Sequence, residues 1–81
     1  MIHKMYSVHD SAAAAYLPPF ILPRHEMAIR TFSEAVNSPD HQFGKHPADF
    51  TLMCVGQFDD EKGTPMCAQT FENLGNGLDF I

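Results

Sequence analysis

Phe50-Thr51-Leu52-Met53-Cys54-Val55-Gly56-Gln57-Phe58 is the stretch on which the fold turns. Phe50, Leu52, Cys54 and Phe58 alternate with Thr51, Met53, Val55 and Gln57, the period of a β-strand. Both alternating sets contain apolar residues, so the stretch predicts a strand inside a sheet rather than at its rim. Asp59-Asp60-Glu61-Lys62-Gly63 follows as a charged hairpin loop with glycine near its end, and Pro65 to Phe71 reads as the return strand. The run before Phe50 is an ordered loop over 40–49, punctuated by Gly44 and Pro47. His46-Pro47-Ala48-Asp49 has the composition of a single helical turn.

Upstream, Pro23 is pre-organised for a helix start, and a helix is expected from about Arg24 to Asn37. Ala28, Ile29, Phe32, Ala35 and Val36 fall on one face of it. Glu26–Arg30 and Arg30–Glu34 are four apart and suited to pairing on the other face. Asn37-Ser38-Pro39 stops the helix, because the residue before proline avoids the α region. Ile2 to Val8 reads as a first strand and Ala15 to Leu22 as a second. Pro18 and Pro19 cannot donate ladder hydrogen bonds, which puts the second at an edge. The order β-β-α-β-β predicts an α+β fold: a small antiparallel sheet of three to four strands, ordered 2-1-3-4, with one helix packed across it. The exposed edge around Tyr16 to Leu22 leaves a homodimer open. Gly75 and Gly77 suggest that 73–81 is a loose tail, with Leu78 and Phe80 as candidate anchors, of a single domain spanning 1–81.

Composition narrows function more than it defines it. The chain has 81 residues, of which 44% are hydrophobic, enough for one core and too many for a disordered segment. Lys and Arg total 5 against 10 Asp and Glu, a formal charge of −5. Phosphate backbones are bound by clustered cations, and Lys4, Arg24, Arg30, Lys45 and Lys62 are scattered. The apolar runs are too short to cross a membrane, which takes about 20 residues. No secretory signal opens the chain, so a cytoplasmic protein with reduced Cys54 and Cys67 is expected.

Candidate chemistry is sparse. His3, His9, His25, His41 and His46 lack the paired spacing of zinc ligands, and no metal or cofactor is expected. Cys54 sits in an apolar strand with no adjacent cation to activate it. A disulfide to Cys67 depends on hairpin register: with Phe58 opposite Thr64 the two thiols face apart, and a one-residue slip changes that. Asp59, Asp60 and Glu61 lack the alternating oxygen ligands of a calcium loop. Gly75-Asn76-Gly77 lacks the lysine and hydroxyl residue of a phosphate loop. With no nucleophile–base pair, an enzyme is not expected. One candidate surface is left: Tyr16, Arg24, His25, Phe43 and Lys45, if gathered, would combine stacking rings with phosphate-contacting cations, as single-stranded DNA binders do. The net charge favours the alternative, in which Phe43 caps the core, Tyr16 lies on the edge strand and the basic residues are solvated.

Four phrases carry more information than composition does. KMYSVHDSAAAAYLPPFILP (4–23), MAIRTFSEAVN (27–37), HQFGKHPADFTLMCVGQFDD (41–60) and LGNGLDF (74–80), taken in order, resemble the small non-structural proteins of gokushoviruses, bacteriophages of the Microviridae with circular single-stranded DNA. The segment from Lys45 through Phe50 to Phe58-Asp59-Asp60 is the most specific, because it joins a loop, a strand and a hairpin in one register. The segment 61–73 carries no motif of the family. By gene position such proteins are compared with protein C of other microviruses, which helps switch replication to single-strand synthesis. The resemblance therefore implies a non-structural protein of the bacterial host's cytoplasm that regulates viral DNA synthesis. Its partners would be phage replication proteins or host replication factors, with at most weak single-stranded DNA binding. An interaction module aimed at a host protein or a procapsid component is the alternative. The resemblance brings no catalytic residues, and the acidic charge departs from what a DNA-coating protein needs.

Overall fold

The structure is a computed structural model that describes residues 1–81. In chain order it contains β1 (Ile2–Asp10), β2 (Ala15–Tyr16), β3 (Phe20–Leu22), α1 (His25–Val36), α2 (Gln42–Lys45), a 3-10 turn (Pro47–Asp49), β4 (Phe50–Asp59), β5 (Thr64–Asn76) and a second 3-10 turn (Gly77–Phe80). The α+β architecture follows the sequence pattern, with one antiparallel sheet of five strands and one main helix. The strand count is higher than the expected three to four, for a local reason. The single strand foreseen over 15–22 is broken by Leu17-Pro18-Pro19 into two short pieces. Both pair with β1, through His9–Tyr16 and through Tyr6–Phe20. The sheet order is β2-β1-β4-β5, with β3 also on β1, so β1 and β4 are the central strands.

Helix α1 lies across one face. Ala28, Phe32 and Val36 from the helix, Phe43 from α2, and Tyr6, Val8, Phe50, Leu52 and Cys54 from the central strands form the core. Ile29 and Ala35 pack at its margin. Phe32, Phe43 and Phe50 meet ring to ring, with centroids 5.5 Å and 4.5 Å apart. Arg24 stands at the N-cap with an extended backbone and Asn37 at the C-cap. On the solvent side Arg30 pairs with Glu34 at 3.3 Å and not with Glu26. No helix is long and apolar enough to cross a membrane.

The hairpin is less regular than its composition suggests. Phe58 faces Pro65 and Gly56 faces Cys67, but Cys54 faces Glu72. Ala68, Gln69, Thr70 and Phe71 therefore stand opposite the single residue Val55, a wide bulge in β5. Gly56 is required beneath it, because a Cβ there would collide with the Met66 carbonyl oxygen. Cys54 and Cys67 are free thiols, the first buried and the second exposed.

The tail expected to be loose is fastened. Residues up to Asn76 continue β5, and a capping box formed by Asn76 and Asp79 opens the last turn. The Asn76 amide also donates to the Ala48 carbonyl at 3.0 Å and to Thr51 Oγ1 at 3.1 Å. Asn37 donates to the Phe80 carbonyl, and the Phe80 ring meets Phe32 edge-on at 5.7 Å. Gly77 lies so close to Pro47 that any side chain there would strike the Pro47 backbone.

Candidate functional site

The sheet has a second face, and no helix covers it. Side chains alternate along a strand, so Met5, Ser7 and His9 of β1 point away from the face that holds Tyr6 and Val8. Their partners across the ladder are Ile21 on β3, Tyr16 on β2, and Met53 and Thr51 on β4. Val55 lies on this side as well. The bulge in β5 carries Phe71 across to Tyr16, and the two rings meet edge to face with centroids 5.8 Å apart. His9 packs on the other side of Tyr16 at 4.7 Å. The Leu17-Pro18-Pro19 segment is held over the sheet by Ser7 Oγ, which donates to the Leu17 carbonyl at 2.7 Å.

Together Ser7, Tyr16, Leu17, Pro18, Pro19, Val55 and Phe71 enclose a shallow hollow of about 470 Å³. None of these seven side chains is charged. Tyr16, Ile21 and Phe71 keep 48%, 44% and 42% of their surface exposed. An antiparallel sheet that faces water normally shows polar residues there. An apolar patch in that position marks a contact surface for protein rather than for phosphate.

The five residues singled out from sequence do not form one surface. Tyr16 lies on the uncovered face. Arg24 and His25 border a different depression with Lys4, Pro23 and Glu26 at the start of α1. Phe43 is buried against Phe32, Phe50 and His41, so it has no ring face left to stack on a base. Phe43 is a core residue, the alternative that the net charge favoured. Lys45 is exposed at the end of α2 and borders neither depression.

A third concavity, of about 420 Å³, lies on the helix side between β4 and β5 and is lined by Lys4, His25, Cys54, Cys67 and Glu72 among others. Its floor is a hydrogen-bonded series that sequence reading missed. Tyr6 Oη is 2.8 Å from His25 Nδ1, and His25 Nε2 is 3.4 Å from Glu72 Oε1. Burial of Tyr6, reinforced by the thiol of Cys54 and the carboxylates of Glu26 and Glu72, pushes its hydroxyl up to about 12. The phenol keeps its proton and donates it to Nδ1, which leaves Nε2 to donate toward Glu72. The arrangement fixes the imidazole at the foot of α1. No three His, Cys, Asp or Glu side chains gather closely enough to hold a metal ion.

The fold and site define a small two-layer α+β protein with one uncovered, uncharged sheet face. Over residues 3–80 the chain matches the family described as Phage ORF5 protein, and it belongs to that family. It is thus a phage protein. No curated protein and no solved structure matches the chain.

Proposed function

We propose that this chain is a non-enzymatic phage protein that works by protein contacts in the host cytoplasm. Its place is in the regulation of viral DNA synthesis, at the switch to single-strand production. The assignment to DNA synthesis in a gokushovirus-type phage comes from the resemblance of its sequence phrases. The mode of action comes from one observation on the fold: the open sheet face around Tyr16, Val55 and Phe71 is apolar and carries no cation. Such a face suits a polypeptide and gives a phosphate backbone nothing to bind. The cations meanwhile are dispersed, with Arg24 and Lys45 in different places and Arg30 already paired.

Recovery of the protein's partners from infected cells, with nuclease treatment, tests this reading. Retention of the phage replication initiator or a host replication factor after nuclease supports it. Recovery of capsid or scaffold proteins alone moves the protein to assembly. Direct DNA affinity is expected to be weak, with a logarithmic salt slope on the order of −2, since few phosphates can be neutralised at once. Nanomolar binding to single strands at physiological salt would overturn the protein-contact mode.

A further inference from the structure

We propose that Cys54 and Cys67 form a thiol–disulfide exchange site on the helix side of the hairpin. Its substrate is a low-molecular-weight disulfide, and its oxidised state is a bond between the two cysteines. The site is independent of what the open sheet face binds.

Strand register brings the two thiols to one side. Phe58 faces Pro65 and not Thr64, and two residues earlier Gly56 faces Cys67. Residues opposed across an antiparallel ladder project to the same side of the sheet, and so do residues two apart on one strand. Cys54, Gly56 and Cys67 therefore share the helix side. This is the one-residue slip that turns otherwise divergent thiols to a common face.

The path between them is clear. Gly56 lies between the two cysteines on this side and has no side chain. Cys54 Sγ is turned along its strand to 3.7 Å from the Gly56 carbonyl oxygen. From the neighbouring strand, Cys67 Cα leans to 3.4 Å from the place a Gly56 Cβ would occupy, and the Met66 carbonyl comes closer still. Both cysteines line the concavity of about 420 Å³ on the helix side. Both are free, Cys54 buried and Cys67 exposed.

Diagonal neighbours in a regular ladder have Cα atoms about 7–8 Å apart, and a disulfide spans up to about 6.8 Å. The difference, on the order of 1 Å, has to come from the backbone. The adjoining bulge can supply it, because Ala68 to Phe71 stand opposite Val55 alone and have no regular ladder to break. The same bulge carries Phe71 to Tyr16, so the bond links the open face to the oxidation state of the hairpin.

Exposure sets the order of events. The thiolate of Cys67 attacks one sulfur of the substrate, forms a mixed disulfide and releases the other half as a thiol. The thiolate of Cys54 then attacks Cys67 Sγ, closes the internal bond and expels the second half as a thiol. Two protein S–H bonds and one substrate S–S bond become one protein S–S bond and two small thiols, which take up both protons. The protein loses two electrons and the substrate gains them. In a reducing compartment the pair rests as a dithiol, and the bond belongs to the transient class found there.

The reduced full chain in native buffer with reduced and oxidised glutathione, quenched in acid, tests the site by intact mass and non-reducing electrophoresis. The expected product is a monomer lighter by two hydrogens, restored by dithiothreitol. Cys54→Ser should stop at the mixed disulfide, heavier by one glutathionyl group. Cys67→Ser should stay unmodified, since its remaining thiol is buried. Far-UV spectra check that the variants fold, and the unaltered chain decides the matter without them. A chain that stops at the mixed disulfide, carries two glutathionyl groups, forms a covalent dimer or does not react overturns the proposal. So does a bond that forms faster in urea than in native buffer, because the fold then holds the thiols apart. Hydrogen exchange across Ala68 to Phe71 should slow on oxidation; equal exchange in both states overturns the link to the open face.

Discussion

Leu52 and Met53 are neighbours on β4, of similar size and polarity, yet Leu52 has no exposed surface while Met53 is only half-buried. The same holds for Tyr6 and Met5 on β1. Both faces of the sheet carry apolar residues, although Ser7, His9 and Thr51 interrupt those of the open one, and what separates Leu52 from Met53 is cover. On one side α1, α2 and the C-terminal turn close over the strands. On the other only the Leu17–Pro19 segment and the Phe71 ring do. Burial is thus a property of what the rest of the chain lays on a strand. The apolar residues left without cover are where function is sought.

The largest test of that contrast is a pair of phenylalanines. Phe32→Ala on the covered side should cost about 3–5 kcal/mol in urea or thermal unfolding, close to the whole stability of a chain this size. Phe71→Ala on the open side, measured at low concentration, should cost less than about 1 kcal/mol. Equal losses would mean that both faces are core.

Next in size is the pH dependence of the covered face. Tyr6 titrates near its ordinary value of about 10 when unfolded and at about 12 when folded. The stability this contributes is fully present below pH 10 and lost as the pH rises through about 12. The loss is roughly 2–3 kcal/mol over that window. Tyr6→Phe should remove that part of the alkaline slope; an unaltered slope would place the titrating group elsewhere.

Asn76→Ala tests how far the cover extends along the tail. It deletes the cap of the last turn together with the contacts to Ala48 and Thr51, and should cost about 1–2 kcal/mol. Hydrogen exchange should then speed up across Gly77–Phe80. No change in either measurement would mean that the tail is held by Phe80 alone.

The smallest effect belongs to the exposed hairpin end, which neither face governs. The amino group of Met1 and the ring of His3 hydrogen-bond Asp60, at 2.7 Å and 2.8 Å, and hold its carboxyl below the usual range. The associated stability is present at neutral pH and lost as pH falls through the folded-state value. NMR titration should find Asp60 below the ordinary aspartate value, and His3→Gln should bring it up towards that value.

The strands, the helix and their order were legible because each rests on a local signal. The period of two in Phe50–Phe58 gave a central strand. The helical spacing of Ala28, Phe32 and Val36 gave the packing face, and Pro18-Pro19 gave the edge. The break of that edge into β2 and β3 rests on the same prolines, which leave the ladder between Tyr16 and Phe20. The tail carries a local signal too: Asn76 with Asp79 three residues on has the spacing of a capping box.

The site was less legible. Phe43 and Lys45 are two residues apart, which says nothing of where their side chains go. The core took the first and left the second in solvent. Neither the ladder from Tyr6 through His25 to Glu72 nor the meeting of Tyr16 with Phe71 has any sequence trace. Each joins residues far apart in the chain, and each depends on the register of β5 and its bulge. By itself the sequence determined the long strands, helix α1 and their order, since periodicity and proline act locally. Only the tertiary structure decided which apolar face is covered and which stays open. That choice depends on where α1 and the tail come to rest, and hence on contacts between distant residues that no local pattern encodes.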